Sequence, residues 1–104
     1  MIIKTNESEV ILKNDGVTGR LIFRSDKLEM VRITIEPQKE IAKHAVPFNA
    51  QFYVVDGEGI FFLGEESYAM KRDSMVGCPK EVERSWKNLS SVNLELLVIK
   101  NIFF

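Results

Sequence analysis

Residues 51–63 read QFYVVDGEGIFFL, two apolar runs separated by a short segment with two glycines. Apolar residues also alternate with polar ones in Val31-Arg32-Ile33-Thr34-Ile35. Alternation with a period of two is typical of half-buried strands, whereas helices repeat every three to four residues. The segment Asp56–Gly59 has the length and composition of a hairpin connection. The sequence therefore predicts two paired strands here, joined by a tight turn.

The same alternation extends along the chain in both directions. A second tight connection is predicted at Gly64-Glu65-Glu66, and Gly77 and Pro79 interrupt the segment that follows. The predicted strands cover about residues 9–13, 17–24, 28–35, 41–45, 50–55, 59–63, 66–70, 74–77, 82–88 and 92–100. Many short strands with no crossover helices favour an all-β fold, an antiparallel sandwich or barrel.

Length and composition limit what the chain can be. Its 104 residues and 45% hydrophobic content suit a single domain covering residues 1–104. The net charge of -1 comes from 14 basic and 15 acidic residues without a basic block, so nucleic acid is not an expected partner. No apolar run approaches the ~20 residues that span a bilayer, so no membrane partner is expected.

The chain contains one cysteine, Cys78, and one histidine, His44. It therefore lacks the side chains for a zinc finger or a thiolate cluster, since structural zinc takes four such ligands. An intrachain disulfide is impossible, and no secretory leader is visible, so we expect a cytoplasmic protein. Cys78 precedes Pro79 and is interpreted as a small buried thiol rather than a nucleophile, because no second base is identifiable for it.

From Pro37 to Asn88, about half of the chain, the sequence resembles the cupin family of small β-barrels. The resemblance is clearest in residues 51–59, a strand followed by a glycine turn. The family's first motif has His-x-His and then Glu before the turn glycine; counted back from Gly57, these positions hold His44, Val46 and Ala50. Its second motif has Pro, His and Asn, and reads here Pro79, Arg84 and Asn88; Asp73 also matches. The resemblance implies an antiparallel jelly roll, also called a double-stranded β-helix.

The resemblance also identifies where cupins hold a metal, and this chain departs from the pattern there. Three of the four ligand positions are Val46, Ala50 and Arg84, and only His44 matches. A single imidazole next to a permanent positive charge is a poor site for a divalent ion. Substitute ligands at Cys78, Glu81, Glu83 or Gln51 would have to turn inward, which strand alternation opposes. We therefore expect no metal and no other cofactor.

Six residues form the predicted ligand-binding site by alternation and by the resemblance: His44, Val46, Ala50, Phe52, Arg84 and Trp86. Two interpretations of an inward Arg84 stay open, because a buried guanidinium needs partners. Either an acidic side chain or backbone carbonyls satisfy it, or it captures a carboxylate or phosphate. Trp86 and Phe52 fit core packing as well as a ligand-binding wall.

Three functions from different classes follow. The first is a non-metal cupin-like protein that binds a small molecule, anionic if Arg84 faces inward. The second, which the resemblance implies, is an oxygenase, isomerase or decarboxylase with an acid/base or unusual metal site at His44. The third is a structural or interaction protein with a vestigial pocket. Apolar termini, Met1-Ile2-Ile3 and Asn101-Ile102-Phe103-Phe104, predict a homodimer.

Overall fold

The computed structural model describes residues 2–102, which form ten β-strands and one 3-10 turn. The turn is Thr5–Glu7, and the strands are β1 (Glu9–Asn14), β2 (Val17–Arg24), β3 (Leu28–Ile35), β4 (Glu40–His44), β5 (Asn49–Asp56), β6 (Glu58–Leu63), β7 (Glu66–Lys71), β8 (Met75–Cys78), β9 (Arg84–Lys87) and β10 (Leu94–Asn101). All ten predicted strands are confirmed, and each end lies within about two residues of its predicted position, the usual boundary uncertainty. No helix of the described residues is long and apolar enough to cross a membrane.

The strands form two antiparallel sheets with the core between them. The larger sheet has the order β1-β2-β3-β10-β5-β8, and the smaller one has the order β4-β9-β6-β7. Inward residues alternate with outward ones along each central strand, as in β10, where Leu94, Leu96 and Val98 are buried and the residues between them are half-buried. The buried apolar residues of both sheets form one cluster. The all-β prediction is therefore confirmed.

The glycine turn after β5 corrects one local prediction. Strands β5 and β6 do not pair; β5 lies between β10 and β8, while β6 lies between β9 and β7 in the other sheet. The segment around Gly57 is thus a corner that carries the chain from one sheet to the other. Turn composition reports that the chain reverses or bends, but it cannot tell which strands then pair. The predicted hairpin is wrong, although both strands exist.

The second predicted connection is a true hairpin. Leu63 of β6 pairs with Glu66 of β7, which leaves a two-residue loop of Gly64 and Glu65. Gly64 has a φ of 57°, which a glycine adopts without the steric cost that a side chain would impose. The hairpin lies in the smaller sheet, where the buried Phe61 of β6 packs against Phe52 and Trp86.

The chain termini are only partly described. Ile2 is 92% exposed and Ile3 is 44% exposed, while the Ile102 N–H donates to the Lys27 carbonyl at 3.0 Å. Met1, Phe103 and Phe104, which contribute to the predicted dimer contact, lie outside the described residues. The dimer stays a prediction.

Candidate functional site

The two sheets enclose a cavity of about 130 Å³. Its lining includes all six residues that the sequence predicted for the site: His44, Val46, Ala50, Phe52, Arg84 and Trp86. They come from both sheets, because β5 supplies Ala50 and Phe52 while β4 and β9 supply His44, Arg84 and Trp86. The structure thus brings the predicted residues together, and whether they bind a ligand stays a prediction.

Arg84 is the charged group inside this cavity. It is 3% exposed, and its Nε donates to the Val82 carbonyl at 2.9 Å while Nη2 donates to the Pro79 carbonyl at 3.0 Å. A guanidinium has five N–H donors. Three N–H groups, two on Nη1 and one on Nη2, therefore have no carbonyl or carboxylate acceptor in the described part of the chain, and the guanidinium also lies against the Cys78 thiol, whose pKa it lowers.

No carboxylate of residues 2–102 forms an ion pair with Arg84. Among the described residues, Trp86 Nε1 is the one fully buried side-chain nitrogen or oxygen without a hydrogen-bond partner. The Nη1 of Arg84, which has no carbonyl or carboxylate partner, is therefore not fully buried. The first of the two open interpretations, that backbone carbonyls satisfy Arg84, therefore holds for only part of the guanidinium. Arg84 itself is among the residues that line the cavity.

His44 lies next to Arg84 at the exposed side of the cavity. The two residues are register partners across β4 and β9, and His44 is exposed. The His44 Nδ1 lies 2.9 Å from the Ala42 carbonyl oxygen, which can only accept. In the neutral ring Nδ1 therefore carries the proton, and Nε2 keeps its lone pair as an acceptor or base.

Phe52 and Trp86 of the lining belong to an aromatic cluster that also contains Phe61, which lies outside the lining. The Phe52 ring centroid lies 5.3 Å from that of Phe61 and 5.7 Å from that of Trp86, and Phe61 and Trp86 are 4.9 Å apart. Tilted and edge-on arrangements at these distances are the favoured ones for aromatic pairs. The sequence left open whether Trp86 is a core residue or part of a ligand-binding wall. Trp86 is 1% exposed and also lines the cavity, so it belongs to both.

Sequence reasoning missed a second cation in the lining, Lys100. Its ammonium lies 3.6 Å from Glu29 Oε1, and its side chain is 28% exposed. The signal was available, since Lys100 continues the inward phase of Leu94, Leu96 and Val98 along β10. The same phase rule that located Arg84 would have found it.

Cys78 is buried, as predicted, and does not line the cavity. Burial raises the pKa of the Cys78 thiol above its ordinary value, and the positive charge of Arg84 offsets that rise only in part. The thiol is therefore neutral at physiological pH. A neutral buried thiol is a poor nucleophile, which agrees with its interpretation as a packing residue.

Comparison with known proteins identifies the family. Residues 31–100 match the Cupin_2 family, described as "Cupin domain". This chain belongs to the cupins. No functionally curated protein matches the sequence of this cupin.

Solved cupin structures share the fold at low sequence identity. An RmlC-like cupin from Shewanella frigidimarina has a TM-score of 0.83 and 17% identity, over 92% of this chain and 85% of the other. A predicted oxalate decarboxylase from Thermotoga maritima has a TM-score of 0.86 and 18% identity, over 99% and 100%. A polyketide cyclase from Streptomyces resistomycificus has a TM-score of 0.83 and 13% identity, over 100% and 86%. The likeness establishes the antiparallel jelly roll.

The cupin metal site can be tested against the residues present here. The four positions hold His44, Val46, Ala50 and Arg84, so three of them offer no ligand. No three His, Cys, Asp or Glu side chains of residues 2–102 converge in a metal-binding arrangement. The candidate substitute ligands do not replace the missing ones. Glu81 and Glu83 are exposed and absent from the lining of the cavity. Gln51 Oε1 already accepts a hydrogen bond from Asn101 Nδ2 at 3.0 Å. The donor set does not fit a cupin metal.

Proposed function

We propose that this cupin binds a small anionic molecule in its barrel, with the Arg84 guanidinium as the fixed positive charge. The observation that carries the proposal is the buried Arg84, which keeps three N–H donors without an oxygen acceptor and has no carboxylate partner in the described chain. A buried charge is costly unless an opposite charge or water compensates it. An anion in the cavity would supply that compensation through charge-assisted hydrogen bonds.

The rest of the lining supports the same sign of ligand charge. Lys100 adds a second cation, whose ammonium also lies 3.6 Å from Glu29 Oε1. None of the described lining residues is Asp or Glu, so nothing in the wall repels an anion. The expected absence of a metal also stays a proposal, and Arg84 would then act in place of the bound cation.

The test is a thermal-shift and calorimetry screen of purified protein with small carboxylates and inorganic phosphate. A ligand that binds the native state alone raises the melting temperature as its concentration passes Kd. Arg84→Lys keeps the charge but loses the two-pronged donor geometry, so we expect affinity to fall by about tenfold. Lys71→Arg, an exposed exchange on β7 outside the cavity, is the matched control. If no anion binds, or if Arg84→Lys binds equally well, the proposal is wrong.

One observation favours a second candidate, an enzyme that uses His44 as an acid or base. The free Nε2 of neutral His44 lies on a residue paired with Arg84, so a bound anion could present a proton to it. In that case turnover would disappear in His44→Gln with ligand affinity retained. A ligand that binds but is returned unchanged, with no turnover at any pH, would exclude the enzyme. If nothing binds at all, a structural protein with a vestigial pocket is the better description.

The predicted homodimer and cytoplasmic location also remain proposals. Support for the dimer comes from edge strand β1, where Val10, Ile11 and Leu12 are 43%, 42% and 41% exposed. Consecutive exposed apolar residues on a sheet edge favour pairing with another chain. Ultracentrifugation should detect a dimer that Ile11→Lys weakens. A monomer at all accessible concentrations would contradict this.

A further inference from the structure

We infer that the ligand is a small hydrophobic monocarboxylate, with a body no larger than one six-membered ring. The inference rests on the proposed function and names the ligand class for the same cavity. Three independent properties of the cavity lead to it: the free donors of Arg84, the apolar wall and the enclosed volume. Each property excludes a different group of anions.

The head group follows from how Arg84 is held. Nε and Nη2 are fixed by the Val82 and Pro79 carbonyls, so the plane of the guanidinium is set before a ligand arrives. The remaining donors on Nη1 and Nη2 are adjacent and coplanar, which matches the two oxygens of a carboxylate. A phosphate can also accept from two N–H groups, but it carries nearly two charges. Arg84 is the one Lys or Arg of the described lining without a carboxylate partner, so a carboxylate with a single charge is the better match.

The body of the ligand follows from the wall. Nine of the thirteen described lining residues are apolar, and they include the three aromatic side chains of Phe48, Phe52 and Trp86. Hydroxyl groups placed against most of this wall would lose water without gaining a hydrogen bond, because the polar atoms there are few, among them the Ser85 hydroxyl and the unpaired Trp86 N–H. Sugar acids, sugar phosphates and hydroxylated dicarboxylates are therefore disfavoured, whereas rings and branched hydrocarbon chains gain from burial.

The size follows from the volume. The cavity encloses about 130 Å³. Drug-sized ligands occupy pockets of roughly 300–1,000 Å³, while an apolar cavity of about 150 Å³ holds a molecule the size of benzene. One ring, or a branched chain of similar bulk, fills this space beside the carboxylate at the cavity mouth. The aromatic pair of Phe52 and Trp86 adds edge-on ring contacts for an aromatic body.

The experiment is isothermal titration with probes that vary one property at a time. Benzoate and 3-methylbutanoate represent the proposed class, benzamide removes the charge, and acetate removes the body. Phenyl phosphate changes the head group, malate changes the polarity, and 2-naphthoate exceeds the size. We expect benzoate and 3-methylbutanoate to bind at least about tenfold more tightly than each of the other five, because each of these lacks one matched feature.

Two variants locate the binding. Val46→Phe fills the cavity from its wall and should abolish benzoate binding, while Val92→Phe makes the same change at a position that is 57% exposed and outside the lining, and should leave it intact. Both variants keep Arg84 itself, so the test does not depend on whether an Arg84 variant folds. Melting curves confirm that both variants fold.

The outcomes separate the inference from the function it rests on. If malate or phenyl phosphate binds best and Val46→Phe abolishes it, the ligand class is wrong but anion binding in the barrel stands. If 2-naphthoate binds as well as benzoate, the size limit is wrong. If no probe binds, or if binding persists unchanged in Val46→Phe, both the ligand class and the proposed function fail.

Discussion

At the scale of single residues, Asn88 illustrates how one polar side chain organises a loop. It is completely buried, and its Nδ2 donates to the Ile35 and Val92 carbonyls, each at 2.8 Å. Its Oδ1 accepts from the N–H of Ser90 at 3.0 Å and from the Ser90 hydroxyl at 2.7 Å. The side chain thus ties the end of β3 to the loop before β10. The resemblance to the second cupin motif located this residue, but its partners needed the structure.

We expect Asn88→Ala to lower the free energy of unfolding by about 2–4 kcal/mol, because it leaves buried carbonyls unpaired and removes the support of the loop. Urea denaturation measures the change. Asn6→Ala, at an exposed position, is the control and should stay within about 0.5 kcal/mol of the native protein. Equal stability of the two variants would contradict the role given to Asn88.

The second residue-scale prediction concerns pH. Because burial raises the pKa of Cys78 in the folded state, the unfolded chain ionises first as pH increases. The stability that this thiol contributes is complete below the unfolded pKa of about 8.5 and is lost as pH rises from there through the folded pKa. Melting curves between neutral pH and pH 10 should fall more steeply for the native protein than for Cys78→Ala. Parallel curves would show that the thiol is not the cause.

At the scale of elements, Gly57 decides that β5 and β6 enter different sheets. Its φ is 81°, and a Cβ built there would lie close to the Asn93 carbonyl oxygen, at 2.4 Å. The chain can therefore turn the corner only with a glycine, because both the backbone angle and the neighbouring backbone exclude a side chain. The composition of the turn was visible in the sequence. Its use as a corner depends on the distant Asn93, which no local pattern reports.

Gly57→Ala should destabilise the protein by about 2–4 kcal/mol, since neither the left-handed backbone nor the Asn93 carbonyl can adjust cheaply. Gly77→Ala is the matched control in β8, because a Cβ there would meet no atom within 4 Å. This second variant should be neutral, or gain up to about 1 kcal/mol from reduced freedom of the unfolded chain. Thermal unfolding of both variants checks the contrast, which a similar loss in each would contradict.

At the scale of the whole molecule, the barrel surrounds a cavity with the four positions that cupins use to bind a metal. In this chain the residues at those positions have a different chemistry. His44 is the single remaining ligand, and Arg84 stands where another would be. The fold is that of the family. The chemical character of the site belongs to this chain.

We accordingly expect removal of metal to have no effect on stability. Dialysis against a chelator should leave the melting temperature unchanged within error, because one histidine and a guanidinium hold no divalent ion. Elemental analysis of untagged protein is the second measurement. Stoichiometric iron, manganese, nickel or zinc, lost together with several degrees of melting temperature, would overturn the non-metal proposal.

The sequence by itself determined the ten strands, the inward phase of each strand and the family, because alternation and motif spacing are local properties of the chain. It also located Arg84 and His44, since their phase and spacing follow from Gly57 and Pro79. Only the tertiary structure decided that the turn at Gly57 is a corner rather than a hairpin, that Arg84 keeps donors without an oxygen acceptor, and that Lys100 pairs with Glu29. Strand pairing, hydrogen-bond partners and cavity volume depend on residues far apart in sequence, so no local pattern contains them.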